Sequence, residues 1–332
     1  MRGLIVKLGG LRAALAATAG LRAVRERHPA AAFTFVCRPG AEAALEGCPA
    51  VVETVALEPG AGSLALLSRI RAQHFDVAVT LGGPSPATRL AALSGAVRRV
   101  CAGAAPWHWS PFFHRQATAR AVDPHEAARD HEVITQAFGF HCEPPAMWFA
   151  PSRMQEHGLV LDEGRYVVLH PGASRPERIL EIDKWAAVAR ELVARGEAER
   201  VVVSAGPAGE ERIMAEALCG LIGPSALSTG GRLRFSQLAS LIRGARAFLG
   251  VDSPVLQLAA AVGTPVLGVY GPSDYARARP WGVLCRAVRI DATPFEGEAR
   301  ADYLRRMDRA LARVTPEQIL RATEELLRVS SR

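Results

Sequence analysis

No stretch of this 332-residue chain approaches the ~20 consecutive apolar residues that a membrane-spanning helix needs. The amino-terminal segment also has neither the apolar core nor the cleavage site of a secretory signal, so a cytoplasmic protein is expected. The six cysteines (Cys37, Cys48, Cys101, Cys142, Cys219 and Cys285) include no C-x-x-C and no close His pairing, which excludes a zinc framework or a disulfide scaffold. No aromatic-basic motif supports nucleic-acid binding. The first turn, Leu8-GGLRAAL-Leu15, is not G-x-G-x-x-G, and Arg38 stands where a nicotinamide enzyme would need an acid after its second strand. Between Leu4 and Arg22 there is no acid at all: an apolar strand breaks at Gly9-Gly10 and passes into an alanine-rich helix. Such a turn makes an anion site through its unpaired backbone N–H groups and the helix dipole, but it does not by itself name a function.

What the chain does have is alternation. With 49% hydrophobic and 22% charged residues it is globular, and its length suits two domains. Strands are expected at 4–8, 32–37, 51–57, 76–81 and 97–101, separated by helices at 13–27, 41–45, 64–72 and 87–93. A weaker segment rich in Trp, Phe, His and Pro follows, then a helix over 123–138. A second set begins at Tyr166-VVLHPG-Gly172 and continues with strands at 200–204, 247–251 and 265–270. Helices are expected at 184–195, 210–221, 235–243 and 255–262, and a last one over 316–328 opens with Pro316 at its first position. Parallel βαβ units explain this order economically, giving an α/β protein of two doubly wound Rossmann-like domains that face a central cleft. The net charge of +7 favours an acidic partner, although much of the excess is Arg in an Ala/Arg/Gly-rich chain, where it can be compositional.

Three loops of the second half lie just past strand carboxyl ends, where doubly wound sheets bind ligands: His170-PGASRPER-Arg178, Ser204-AGPAGEE-Glu211 and Gly250-VDSPVLQ-Gln257, the last joined by Tyr270-GPSD-Asp274. Small residues, hydroxyls and a charge in each point to a diphosphate site. The succession H-P-G-A-S, W-A-A-V-A-R-E-L, G-P-x-G-E-E, L-x-x-L-I-x-x-A and D-S-x-x-x-x-L-A-A-A-V-G-T-P-V-L-G-V-Y-G-P-S-D resembles glycosyltransferase family nine, the bacterial heptosyltransferases of lipopolysaccharide core assembly.

The resemblance implies a GT-B fold, with an acceptor domain over 1–155, a donor domain over 156–315 and a carboxyl-terminal helix over 316–332 that returns to the first domain. It implies inverting transfer from a nucleotide sugar, typically ADP-heptose, with no metal and no cofactor. The acceptor would be an anionic glycolipid or other glycan, reached by peripheral contact with the inner membrane surface. Carried over by position, it places Ser174 and Arg178 on the donor phosphates, Glu210 on the ribose, Asp252 and Ser253 near the diphosphate and sugar, and Gln257 where the family has a histidine. Lys7, Gly9, Gly10 and Arg12 fall on the acceptor side, with Arg38, Arg89 and Arg120 as further cations. Arg178 replaces a lysine, and Pro254 a glycine. Ala13 stands where the family has the aspartate that takes the acceptor's proton, so the catalytic base is left unassigned. Asp123, His125, Glu126, Asp130, His131, His108 and His114 are the candidates in reach of that role, and a non-catalytic relative that binds nucleotide sugar or a partner is the alternative.

Overall fold

The structure is a computed structural model. It describes residues 1–58, 64–82, 86–117, 123–150, 158–291, 293, 295, 297–308 and 310–330. The chain divides into two compact units, Met1–Arg153 and Met154–Arg332. The expected boundary at 155/156 lies outside the described residues, as does Arg120.

In the first unit the order is β1 (Arg2–Val6), α1 (Leu11–Arg27), β2 (Ala32–Cys37), β3 (Val51–Ala56), α2 (Leu64–Arg71), β4 (Val77–Thr80), α3 (Pro86–Leu93), β5 (Arg98–Ala102), β6 (Arg115–Ala117) and α4 (Glu126–Ala137). The strands form one sheet in the order β3-β2-β1-β4-β5-β6. Every pairing in it is parallel. The switch in direction falls between β1 and β4, so the Gly9-Gly10 turn leaves the sheet where such folds bind ligands. Central strands such as Val77–Thr80 are buried throughout because helices cover both faces, whereas the edge strand β3 alternates half-buried and exposed residues. Leu4, Val6, Val36, Phe75 and Leu90 share one core cluster. Helix α4 lies closely along α1: a Cβ on Gly20 would meet Ile134 Cδ1 at 2.6 Å and the His131 backbone at 3.1 Å. That close approach brings the first turn of α4 to the end of β1.

The second unit repeats the plan with β7 (Tyr166–His170), α5 (Ile182–Ala194), β8 (Arg200–Val203), α6 (Gly209–Ile222), β9 (Ala226–Ser228) and α7 (Phe235–Arg243). It continues with β10 (Ala247–Val251), α8 (Pro254–Ala261), β11 (Val266–Tyr270), α9 (Tyr275–Ala278), β12 (Cys285–Arg289), α10 (Arg300–Asp308) and α11 (Pro316–Ser330). Its sheet runs β12-β11-β10-β7-β8-β9, again all parallel. Strands β6, β9 and β12 were not expected from the sequence. Each lies at a sheet edge or is too short and polar (Arg115-Gln-Ala, Ala226-Leu-Ser, Cys285-Arg-Ala-Val-Arg) to show an apolar run.

Helix α11 is part of the second unit, where its apolar stripe Ile319, Leu326 and Leu327 is buried in one cluster with Trp185, Val188 and Leu192 of α5 and Leu267 of β11. A stripe spaced i, i+7, i+8 buries one helical face, and the neighbouring sheet layer supplies the apolar surface it needs.

Candidate functional site

Strands β10, β7 and β8 are neighbours, so the three loops that follow them emerge side by side at one edge of the sheet. The switch point between β7 and β10 lies among them. The first and third loops are joined by an ion pair: Arg178, at the end of a short 3-10 turn, places Nη1 3.0 Å from Oδ2 of Asp252. The Asp252 side chain is 1% exposed and that of Arg178 17%, so the carboxylate is enclosed and the guanidinium reaches the surface. Ser273 donates its hydroxyl to the same Oδ2 at 2.6 Å.

The first and second loops are joined through Glu211. Its Oε2 accepts from the Gly206 backbone N–H at 2.7 Å, and its charge acts on His170, the last residue of β7. Burial nonetheless holds the His170 imidazole below its ordinary pKa, so it is neutral at pH 7, with Nδ1 donating to the Ser204 carbonyl at 3.1 Å. Glu210, the acid singled out by resemblance, stands exposed on the first turn of α6, and its neighbour Glu211 is the one turned onto the loops. Adjacent acids at a helix start look alike in sequence, and only the direction of each side chain separates them.

Ser174 is exposed on the first loop. Ser253 caps α8 by accepting from the Leu256 N–H at 3.3 Å, and Pro254 occupies the first helical position. Gln257 is buried, with Nε2 donating to the Ala278 carbonyl at 2.7 Å. Its amide therefore ties α8 to α9. Beside the third loop, at the carboxyl ends of β11 and β12, a cavity of about 790 Å³ is lined by Ser273, Tyr275, Arg289 and Tyr303 among others. Arg289 lies over the Tyr275 ring at 4.5 Å. Ser273 connects this cavity to Asp252. Its volume is in the range of small-molecule sites, and aromatic faces beside a cation suit a sugar or nucleotide with anionic groups.

In the first unit, Gly10 caps α1 with an extended backbone and its carbonyl accepts from the Ala14 N–H at 3.1 Å. Arg12 and Ala13 are half-buried on that turn, while Arg38 and Arg89 are exposed. Lys7 corrects an expectation. It does not face outward to an anionic acceptor; it is buried between two carboxylates of α4, with Nζ 2.8 Å from Oε1 of Glu126 and in an ion pair with Asp130. An ammonium this enclosed is tolerated because both acids compensate it. Burial pulls the Lys7 pKa down, but Asp130 and Glu126 more than offset it and leave it raised. Burial likewise pushes Asp130 up, to about 6 despite Lys7. For Glu126 the upward push of burial is outweighed by Lys7, Arg12 and His125, so its carboxyl stays below the usual range.

Among the described residues no group of three or more His, Cys, Asp or Glu side chains could hold a metal ion, and no helix is long and apolar enough to cross a membrane.

A model of glycosyltransferase family 9 (heptosyltransferase) matches residues 63–302. Lipopolysaccharide heptosyltransferase 3 of Escherichia coli is 29% identical over 185 residues, 55% of this chain and 53% of that protein. The protein of the same name from strain K12 is 31% identical over 163 residues, 49% of this chain and 46% of its own. The chain thus spans about half the length of the curated relatives it matches. Among solved structures, E. coli ADP-heptose lps heptosyltransferase II superposes with a TM-score of 0.79 at 17% identity, covering 100% of both chains. E. coli heptosyltransferase WaaC with ADP gives 0.77 at 20%, covering 98% of this chain and 99% of that one. At these identities the likeness concerns the fold, which is GT-B.

Proposed function

The chain belongs to glycosyltransferase family 9, and from that premise we propose that it moves a heptose-like sugar from a nucleotide-sugar donor, ADP-heptose in the first instance, to a hydroxyl of an anionic glycan such as a lipopolysaccharide core. The carrying observation is the set of three neighbouring loops of the second unit, cross-tied through Arg178–Asp252 and through Glu211, beside a cavity of about 790 Å³. In this reading Arg178 meets the diphosphate as a planar fork, Ser174 adds a hydroxyl, and Glu210 reaches the ribose. Transfer inverts the anomeric carbon in one displacement and uses no metal, because Arg178 takes the charge of the departing diphosphate. Titration calorimetry of the whole chain is expected to show ADP and ADP-heptose binding with micromolar affinity, on the order of −8 kcal/mol. Absence of heat with either nucleotide sinks the reading.

The competing reading, a relative that binds nucleotide sugar without transferring it, is favoured by Ala13, Pro254 and Gln257 together. Detection of sugar transfer decides against it.

The proposal extends to a cytoplasmic enzyme that touches the membrane surface where a lipid-linked acceptor resides. Residues 77–122 contain no Asp or Glu, and within them the connection from β5 to β6 presents Trp107 at 86% exposure and Phe112 at 42%. Trp107, His108, Trp109 and Phe112 meet in succession through edge-on and tilted ring contacts, with centroids 5.5 to 5.7 Å apart, and exposed His114 and Arg115 follow. This connection leaves β5 from the sheet edge that also carries the Gly9-Gly10 turn. Indole rings settle at lipid–water interfaces, and each Arg near an anionic surface adds about 1 kcal/mol. Sedimentation with phosphatidylglycerol-containing vesicles is expected to carry the protein down at low salt, and Trp107→Ala with Phe112→Ala to abolish it. Equal binding to neutral vesicles, or no effect of the double substitution, removes the membrane from the proposal.

A further inference from the structure

We infer that the carboxylate of Glu126 accepts the proton of the attacking hydroxyl, in place of the base that Ala13 cannot provide. The inference rests on the transferase reading above. Glu126 opens α4, Lys7 directly follows β1, and the Gly9-Gly10 turn begins two residues later, so the 2.8 Å contact between Glu126 Oε1 and Lys7 Nζ puts this carboxylate at the root of the turn. Arg12, on the first turn of α1, also acts on it electrostatically. Of the two acids on Lys7, Glu126 has a side chain 32% exposed against 11% for Asp130. Glu126 is therefore the one a solvent-borne hydroxyl reaches.

The other candidates in this segment are engaged elsewhere. His125 is buried at the helix cap, where Nδ1 accepts from the Ala127 N–H at 3.0 Å. Asp123 accepts from the His125 N–H at 2.9 Å. His131 is buried with Nε2 3.4 Å from Cys142 Sγ. His114 accepts from the Arg99 N–H at 3.2 Å, and His108 makes edge-on and tilted ring contacts with Trp107 and Trp109. Glu126 alone among them combines a fixed oxygen, a negative charge held by Lys7, Arg12 and His125, and access.

The step balances without a further reagent. The acceptor oxygen forms a bond to C1 of the sugar as the bond from C1 to the phosphate oxygen breaks; that electron pair departs with the nucleoside diphosphate. The hydroxyl proton passes to the Glu126 carboxylate and goes to water on product release. Lys7 orients the carboxylate, and Asp130 is a positioning residue that holds Lys7.

The test uses the full chain with ADP-heptose and a heptose-deficient lipopolysaccharide core, reading ADP release, with ADP binding measured separately. Glu126→Gln is expected to lower kcat by ~10²–10⁴-fold and leave ADP affinity unchanged, the span general bases contribute. Ala13→Asp in the Glu126→Gln background is expected to restore turnover. Glu126→Asp keeps the charge on Lys7 but withdraws the carboxylate by one methylene; kcat falls if Glu126 is the proton acceptor and stays near wild type if it only anchors Lys7. The charged groups that act on Glu126 are Lys7 from the end of β1, Arg12 from α1, and His125 and Asp130 on α4. The wild-type kcat should fall as pH drops through the lowered Glu126 pKa, and Glu126→Gln should remove that acidic limb. Loss of ADP binding in the wild type overturns the transferase reading. Intact ADP binding overturns this inference alone when kcat is indifferent to Glu126→Gln, when transfer appears only after Ala13→Asp, or when no variant transfers.

Discussion

Lys7→Met is expected to lower the melting temperature of the first unit by roughly 6–20 °C, the largest stability loss of any single substitution on the acceptor-side turn. Breaking a buried ion pair from one side costs about 3–5 kcal/mol, and a unit of this size loses about 2–4 °C per kcal/mol. The cost is high because Lys7 is enclosed and compensates two acids at once. Methionine has nearly the same volume, so packing changes little and the effect reports charge. The pH dependence identifies the cause. Asp130 titrates at about 6 in the folded chain, against about 3.9 when unfolded. Between those values the native state holds a proton that the unfolded state has released, so this residue's contribution to stability falls as pH rises through that window. Without Lys7 the folded value climbs further and the window widens upward. Lys7→Met should therefore melt closer to wild type at pH 5 than at pH 7.5, and adding Asp130→Asn should flatten the difference. Melting curves that coincide with wild type at both pH values contradict this account.

The same residue shows how far the sequence could be read. The apolar runs of β1, β7 and β10, buried on both faces, announce a parallel sheet by composition alone, and the glycine-rich turns announce its ligand edge. Strands β6 and β9 are three residues each and borrow their order from the neighbour they pair with, so no local pattern marks them. The burial of Lys7 is of that kind too: Asp130 lies 123 residues along the chain, and only the packing of α4 on α1 brings it back. The stripe of α11 is plain in the sequence, but a stripe says that a face is buried and not against what. Motif matching found Asp252 and Arg178 as separate residues; that they are a pair is a fact of the fold.

Arg178→Ala is expected to weaken ADP binding by about 10–100-fold, or about 1.4–2.8 kcal/mol, because in the proposed reading this guanidinium is the planar fork that meets the diphosphate. Helix α8 is poorly equipped to share the task. Pro254 has no N–H to offer, and the Leu256 N–H already serves the Ser253 hydroxyl. Arg178→Lys should fall between the two, since an ammonium keeps the charge but not the bidentate fork. Arg178→Ala should also lower the melting temperature of the second unit, because Asp252 remains buried with the Ser273 hydrogen bond but without this guanidinium. Asp252→Asn separates the two effects. It removes the carboxylate that competes with phosphate for Arg178, so ADP should bind it at least as tightly as it binds the wild type. Calorimetry on the three variants decides the matter: Arg178→Ala binding ADP like wild type, or Asp252→Asn binding it tenfold more weakly, would show that the diphosphate is held elsewhere and that the Arg178–Asp252 pair only ties two loops together.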